Sequence, residues 1–165
     1  MKVLLITLPR TGSTSLLKKI VEEQNLLAIA EPFNNVNGNS EKYKYYNWKN
    51  TNDICVKTHI NHKDILFYLE FIKFFDEVIL LSRKDLNACA ESLSYANHYQ
   101  NFTEKYEWIK TPNLNKNIIL VNEFDAELEK LSKLTNIKIS YYEDLFNVES
   151  TDKLRKNDIK RKNLI

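Results

Sequence analysis

Glycine is almost missing from this chain: Gly12 and Gly38 are the only two among 165 residues. The scarcity goes with an abundance of Lys, Asn and Ile and carries no function by itself, but it singles out Gly12, which falls in a polar loop near the start. Cysteine is equally rare. Cys55 lies in an apolar run and Cys89 in a helical pattern, so both read as core residues rather than as a disulfide, which suits a reducing compartment and a cytoplasmic location. No run approaches the ~20 apolar residues of a spanning helix. The first apolar run is too short for a secretory leader and is broken by Pro9-Arg10. The expectation is a soluble protein without a membrane span. A net charge of +2 is too small to argue for a nucleic-acid partner. With 43% hydrophobic and 28% charged residues the chain reads as globular. Its length suits one domain over 1–165, with a core over 1–146 and a basic C-terminal tail over 147–165.

What is present begins at the N-terminus. Val3-Leu4-Leu5-Ile6-Thr7-Leu8 reads as a strand buried on both faces. Pro9, with no N–H to donate, ends it. Arg10-Thr11-Gly12-Ser13-Thr14-Ser15 follows, and from Leu16 the pattern is helical, with Leu16, Leu17, Ile20 and Val21 on one face of a helix over about Ser13 to Gln24. A strand, a tight polar loop and a helix start form an anion site, because loop N–H groups and the positive end of the helix dipole converge there. The Walker A pattern is not met, since no Lys follows Gly12. The plain alternative is a strand-to-helix turn with a Ser/Thr cap and no ligand.

Further along, Leu26 to Ala30 reads as a second strand, closed by Glu31-Pro32-Phe33. Residues 34–52 form a polar loop whose second half carries Tyr43, Tyr45, Tyr46 and Trp48. Ile54 to His59 is a third strand. Asp64 to Phe75 is an amphipathic helix with Ile65, Leu66, Leu69, Ile72 and Phe75 toward the core. Glu77 to Ser82 is a fourth strand, followed by a helix from about Leu86 to Tyr99. Residues 100–116, with Trp108 and Pro112, give no clear signal. Phe124, Leu128, Leu131 and Leu134 mark another helix, and Ile137 to Tyr142 a fifth strand. Alternating strands and helices imply right-handed βαβ units. The expected fold is α/β: a single-domain, P-loop-like three-layer sandwich around a central, mostly parallel sheet of about five strands.

In such sheets ligands bind beyond the carboxyl ends of the strands. Strand one delivers the Arg10–Ser15 loop to that edge, strand two Glu31, and strand three Lys57 and His59. Strand four delivers Arg83, with Ser92 one face along the next helix, and strand five Tyr142, Glu143 and Asp144. Guanidinium geometry at Arg83 suits a phosphate. Each residue has a plainer reading: Lys57 and His59 as exposed strand decoration, Glu31 as a strand end before Pro32, Ser92 as a helix residue bonded to its own turn. His59-x-x-His62 lacks Cys or acidic company at ligand spacing, so no metal is expected.

Four segments in order resemble the sulfotransferases that use 3′-phosphoadenosine 5′-phosphosulfate (PAPS). LPRTGSTSL resembles the family's 5′-phosphosulfate loop. VKTHI resembles the segment of cytosolic members whose His is the catalytic base. EVILLSRKDLNACAESLSYA resembles the 3′-phosphate segment, with an Arg83-to-Ser92 spacing closer to bacterial carbohydrate-type members. YYEDLF resembles the late segment whose Tyr lies near the adenine. AEPFNN is similar to the place where carbohydrate-type members carry a catalytic Glu.

The resemblance implies in-line sulfuryl transfer from PAPS, as co-substrate and without metal, to a hydroxyl or amine of a small-molecule or glycan acceptor. Arg10, Thr11, Gly12, Ser13, Thr14, Ser15, Arg83, Ser92 and Tyr142 would hold the nucleotide. Arg10 and Lys57 would attend the transferring group, and Glu31 or His59 would take the acceptor's proton. The chain lacks the late Arg-Lys-Gly segment of cytosolic members; the tail cations Arg155, Lys156, Lys160 and Arg161 are the candidates to replace it. The acceptor-stacking role assigned to Tyr43, Tyr45, Tyr46 and Trp48 follows from position and composition. Two other readings stay open: a non-catalytic module binding adenosine 3′,5′-bisphosphate, and a small P-loop nucleotide kinase. The missing Gly-Lys pair and the lack of a clear Mg²⁺-holding Asp weigh against the kinase.

Overall fold

The buried runs of the sequence form one five-stranded sheet. The computed structural model describes residues 1–34, 39–44, 46–101 and 114–146, with the side chains of all of these but 40, 41 and 95–101. Tyr45, the stretch with Trp108 and Pro112, and the basic tail lie outside the described residues. In chain order the elements are β1 (Lys2–Thr7), α1 (Ser13–Gln24), β2 (Leu27–Ala30), α2 (Asn39–Lys42), β3 (Ile54–His59), α3 (Ile65–Phe71), β4 (Glu77–Ser82), α4 (Leu86–Asn101), α5 (Leu114–Thr135), β5 (Ile139–Tyr141) and α6 (Tyr142–Leu145). The strand order is β2-β3-β1-β4-β5, and every pairing is parallel.

Alternation along the central strands builds three layers. Val3 and Leu5 of β1, Cys55 of β3 and Leu81 of β4 pack with Leu16, Leu17 and Ile20 of α1. Leu4, Ile6, Val56 and Leu80 face the other way, onto Tyr68 and Phe71 of α3 and Leu128 and Leu131 of α5. A strand with apolar residues in both registers must be covered on both faces, which is why β1 is buried from Val3 onward. β1 is central because its unbroken apolar run has no solvent face to offer. Both cysteines are free thiols in the core. No helix among the described residues is long and apolar enough to cross a membrane.

The structure corrects some details of the sequence reading. Leu66, expected on the core side of its helix, is 71% exposed. Tyr68 and Phe71 point inward instead, and the helix tightens into a 3-10 turn over Ile72–Phe74. Leu134 is likewise on the surface. α5 begins at Leu114, inside the stretch that gave no clear signal. The described aromatic side chains of the 34–52 loop are half-buried. Tyr43, Tyr46 and Trp48 pack against the core, with Trp48 edge-on to Phe71 and tilted against Phe33 and Tyr46.

Candidate functional site

Because all strands run parallel, their carboxyl ends share one edge. Thr7 pairs with His59, Ala30 with Lys57 and Ser82 with Tyr141. The residues following each strand therefore meet there. The β1–α1 loop is pinned through three successive carbonyls. Leu8 O accepts from the Thr11 hydroxyl at 2.9 Å, Pro9 O from the Cys89 thiol at 2.9 Å, and Arg10 O from Arg83 Nη1 at 3.3 Å. Arg10 itself adopts a left-handed backbone (φ 65°), as does Gly12 (φ 72°). The N-cap of α1 is Gly12, not a Ser or Thr, and no side chain caps the first turn. The side-chain cap of the plainer reading is therefore absent, which leaves the first-turn N–H groups without a capping side chain, an arrangement that suits an anion. Arg10 Nε donates to Ser92 Oγ at 3.0 Å, linking the loop to α4.

Among the described non-glycine residues with positive φ, Asn25, Asp53 and Asn136 are types that tolerate it, whereas Arg10 and Glu31 (φ 52°) are not. Both exceptions stand at this edge, where backbone strain of about 1–3 kcal/mol is held by surrounding contacts. At Glu31 those contacts are its own N–H to Lys57 O at 2.6 Å and Asn39 Nδ2 to Glu31 O at 3.2 Å.

Glu31, Lys57 and His59 form a compact cluster. Lys57 Nζ donates to Glu31 Oε1 at 2.6 Å, Asn34 Nδ2 to Glu31 Oε2 at 2.9 Å, and His59 Nε2 stands 3.7 Å from Glu31 Oε1. Lys57 is buried, so it is not exposed strand decoration. Burial by itself would raise the Glu31 carboxyl, but the hydrogen bonds from Lys57 and Asn34, with nearby positive charge, outweigh it and bring it down to about 2. Burial, helped by the Lys57 ammonium and opposed by Glu31, holds the His59 imidazole down to about 3. Beneath the cluster the buried Tyr68 hydroxyl donates to His59 O at 2.5 Å and lies 3.3 Å from Thr58 Oγ1.

On the other side of the loop, buried Arg83 faces Glu143. Its Nε lies 3.6 Å from Oε1, too far for a hydrogen bond, and neither atom has a hydrogen-bond partner. Glu143 Oε2 accepts from Lys84 N at 3.0 Å. Tyr142 is buried against α1 and the loop, with its ring on Gly12 and on Phe146 at 4.5 Å.

The structure thus gathers Arg10, Thr11, Gly12, Arg83, Ser92 and Tyr142 into one group and Glu31, Lys57 and His59 into another beside it. Thr11 and Ser13 are buried, Ser15 half-buried and Thr14 exposed. Tyr142 lies under the loop instead of presenting an open face. Sequence reasoning missed Asn34, Tyr68 and Cys89, whose hydrogen bonds fix the site. Asn34 is three residues beyond Glu31, the one signal that was legible; the other two act across 9 and 80 residues.

No protein-family model matches the chain, and no curated protein matches it. Three similar solved structures are solution structures of de novo designed proteins of the P-loop NTPase fold. One is 17% identical with a TM-score of 0.30, covering 84% of this chain and 98% of that one. A second is 23% identical with a TM-score of 0.33, covering 79% and 92%. A third is 17% identical with a TM-score of 0.32, covering 80% and 96%.

Proposed function

We propose that the chain is a sulfotransferase that moves the sulfuryl group of PAPS to a hydroxyl or amine of a small-molecule or glycan acceptor. The observation that carries the reading is the joining of two anion seats: Arg10 Nε on Ser92 Oγ, with Arg83 Nη1 on Arg10 O. A nucleotide with one phosphate at its 5′ end and another at 3′ needs two such seats side by side. The α1 N-terminus and Arg10 would stabilise charge building on the bridging oxygen. Tyr142 would hold the loop.

The second group supplies the proton acceptor. His59 is neutral, and the Glu31 carboxylate 3.7 Å away stabilises the imidazolium as it forms. Glu31 already has Lys57 on Oε1 and Asn34 on Oε2, which hold the carboxylate in place as a fixed negative charge beside the imidazole. On this reading His59 is the base, Glu31 its partner, and Lys57 orients Glu31 and attends the transferring group. A base in this role contributes typically ~10²–10⁴-fold.

One observation favours a second reading, a module that binds adenosine 3′,5′-bisphosphate without transfer: both candidate bases are held well below neutrality. Calorimetric titration of the bisphosphate tests the common part. Micromolar binding, about −8 kcal/mol, lost in Arg83→Ala and weak for ATP with Mg²⁺, supports a PAPS site. ATP binding in its place would favour a kinase, and no binding of either overturns the proposal. An acceptor screen comparing His59→Ala with Glu31→Gln then separates transferase from binding module.

A further inference from the structure

We propose that Glu31, His59 and His62 form a binding site for a divalent transition-metal ion of the zinc type. The sequence places no acidic residue at ligand spacing from the two histidines; strand pairing supplies one. β2 runs parallel to β3 with Ala30 opposite Lys57, which carries Glu31 to the end of β3. A 3-10 turn over Ile60–His62 folds the second imidazole back on the first, with ring centroids 5.0 Å apart. One donor atom from each residue lies within 4.8 Å of the other two.

Tetrahedral zinc, with ligand bonds of about 2.0–2.1 Å, holds its donors about 3.4 Å apart. The pair His59 Nε2 and Glu31 Oε1, at 3.7 Å, is already close to that spacing. His62 is half-buried at the end of a short turn, where rotation of its side chain would close the remainder. Two imidazoles and one carboxylate suit zinc or cobalt better than magnesium or calcium, which take oxygen donors.

The ligands also have outer partners of the kind that orient metal-binding groups. Asn34 Nδ2 holds Glu31 Oε2. The Thr58 hydroxyl stands 3.4 Å from His62 Nδ1 and is tied in turn to Tyr68. Three protein donors leave a fourth position for water or another ligand. The opposing element is Lys57, whose ammonium sits on Glu31 Oε1 at 2.6 Å and must yield as the ion enters. An ion at this site would occupy His59 and Glu31, so metal binding and proton acceptance by His59 exclude one another, and a metal titration reads the binding without any transfer assay.

The test is a Co²⁺ titration of untagged, nucleotide-free protein followed by visible absorption, with Zn²⁺ as competitor and circular dichroism to confirm folding of each variant. One saturating equivalent, with a tetrahedral-type band and no thiolate charge transfer, is expected. His62→Ala lowers the affinity about tenfold or more, Lys57→Met raises it, and His98→Ala, a variant of the third histidine in the chain, leaves it unchanged. Zn²⁺ displaces Co²⁺ and Mg²⁺ does not. The absence of a saturable band, or equal affinity in folded His62→Ala and wild type, overturns the proposal.

Discussion

The ring of Tyr142 occupies the space a Cβ on Gly12 would need, with Cε2 only 2.1 Å and Cδ2 2.6 Å from that position. The contact joins the chain's first loop to its last described helix. It also explains why one of two glycines in the sequence stands there. A side chain would meet both the left-handed backbone, at about 1–2 kcal/mol, and a filled space, at about 1–3 kcal/mol.

Gly12→Ala is therefore expected to destabilise the protein by about 2 kcal/mol or more. Adding Tyr142→Leu should recover part of the loss by relieving the clash. Urea denaturation of the two single variants and the double variant checks this as a cycle; strict additivity would show that the two residues do not compete for one space.

Acid should weaken the fold through the Glu31–His59 cluster, and the signs agree. His59 is held from 6.5 down to about 3, so the unfolded chain takes up its proton first as pH falls. The stabilisation it gives is complete above about 6.5 and fades toward about 3. Glu31, held from 4.5 down to about 2, acts in the same direction over a lower window. Between pH 7.5 and pH 5 the His59 share amounts to about 2 kcal/mol. His59→Gln should flatten that part of a stability–pH curve and leave the decline below pH 4.5.

Glu143 and Asp144 are neighbours in sequence with opposite expectations. The Arg83–Glu143 pair is buried on both sides, so Glu143→Gln leaves a buried guanidinium without its countercharge and should cost about 3–5 kcal/mol. Asp144 pairs with Lys84 on the surface, where water screens the charges. Asp144→Asn should leave the thermal midpoint essentially unmoved. Equal effects would contradict this assignment.

The Arg10–Ser92 hydrogen bond should matter more to ligand than to fold. Ser92→Ala removes a half-buried hydroxyl, with a net effect on stability of about 1 kcal/mol or less. If the 3′,5′-bisphosphate bridges the two anion seats, its affinity should fall about tenfold. Calorimetry on the variant distinguishes the outcomes, and unchanged affinity would place the ligand away from Ser92.

Much of the architecture was legible because it depends on local pattern. The runs at Val3, Ile54 and Glu77 appear as strands where hydropathy put them. α1 spans Ser13 to Gln24 as its period requires. Leu66 and Leu134 show the limit. Each fits a helical stripe, but which edge of the stripe is covered depends on a neighbour's position, and α3 presents Tyr68 and Phe71 to the sheet instead.

The sequence by itself determined that a polar loop would join a buried strand to a helix, and that charged residues would follow most strands. Both are consequences of periodicity and of where a chain can bear unpaired polar groups. Only the tertiary structure decided which of those charges meet. Strand order put β3 between β2 and β1, and with it Glu31 against Lys57 and His59. Burial then held the His59 imidazole down, and the hydrogen bonds from Lys57 and Asn34 held the Glu31 carboxyl down. The cause is that electrostatic and hydrogen-bond energies depend on distance and desolvation in space, and separations of 26, 73 and 82 residues along the chain carry no record of either.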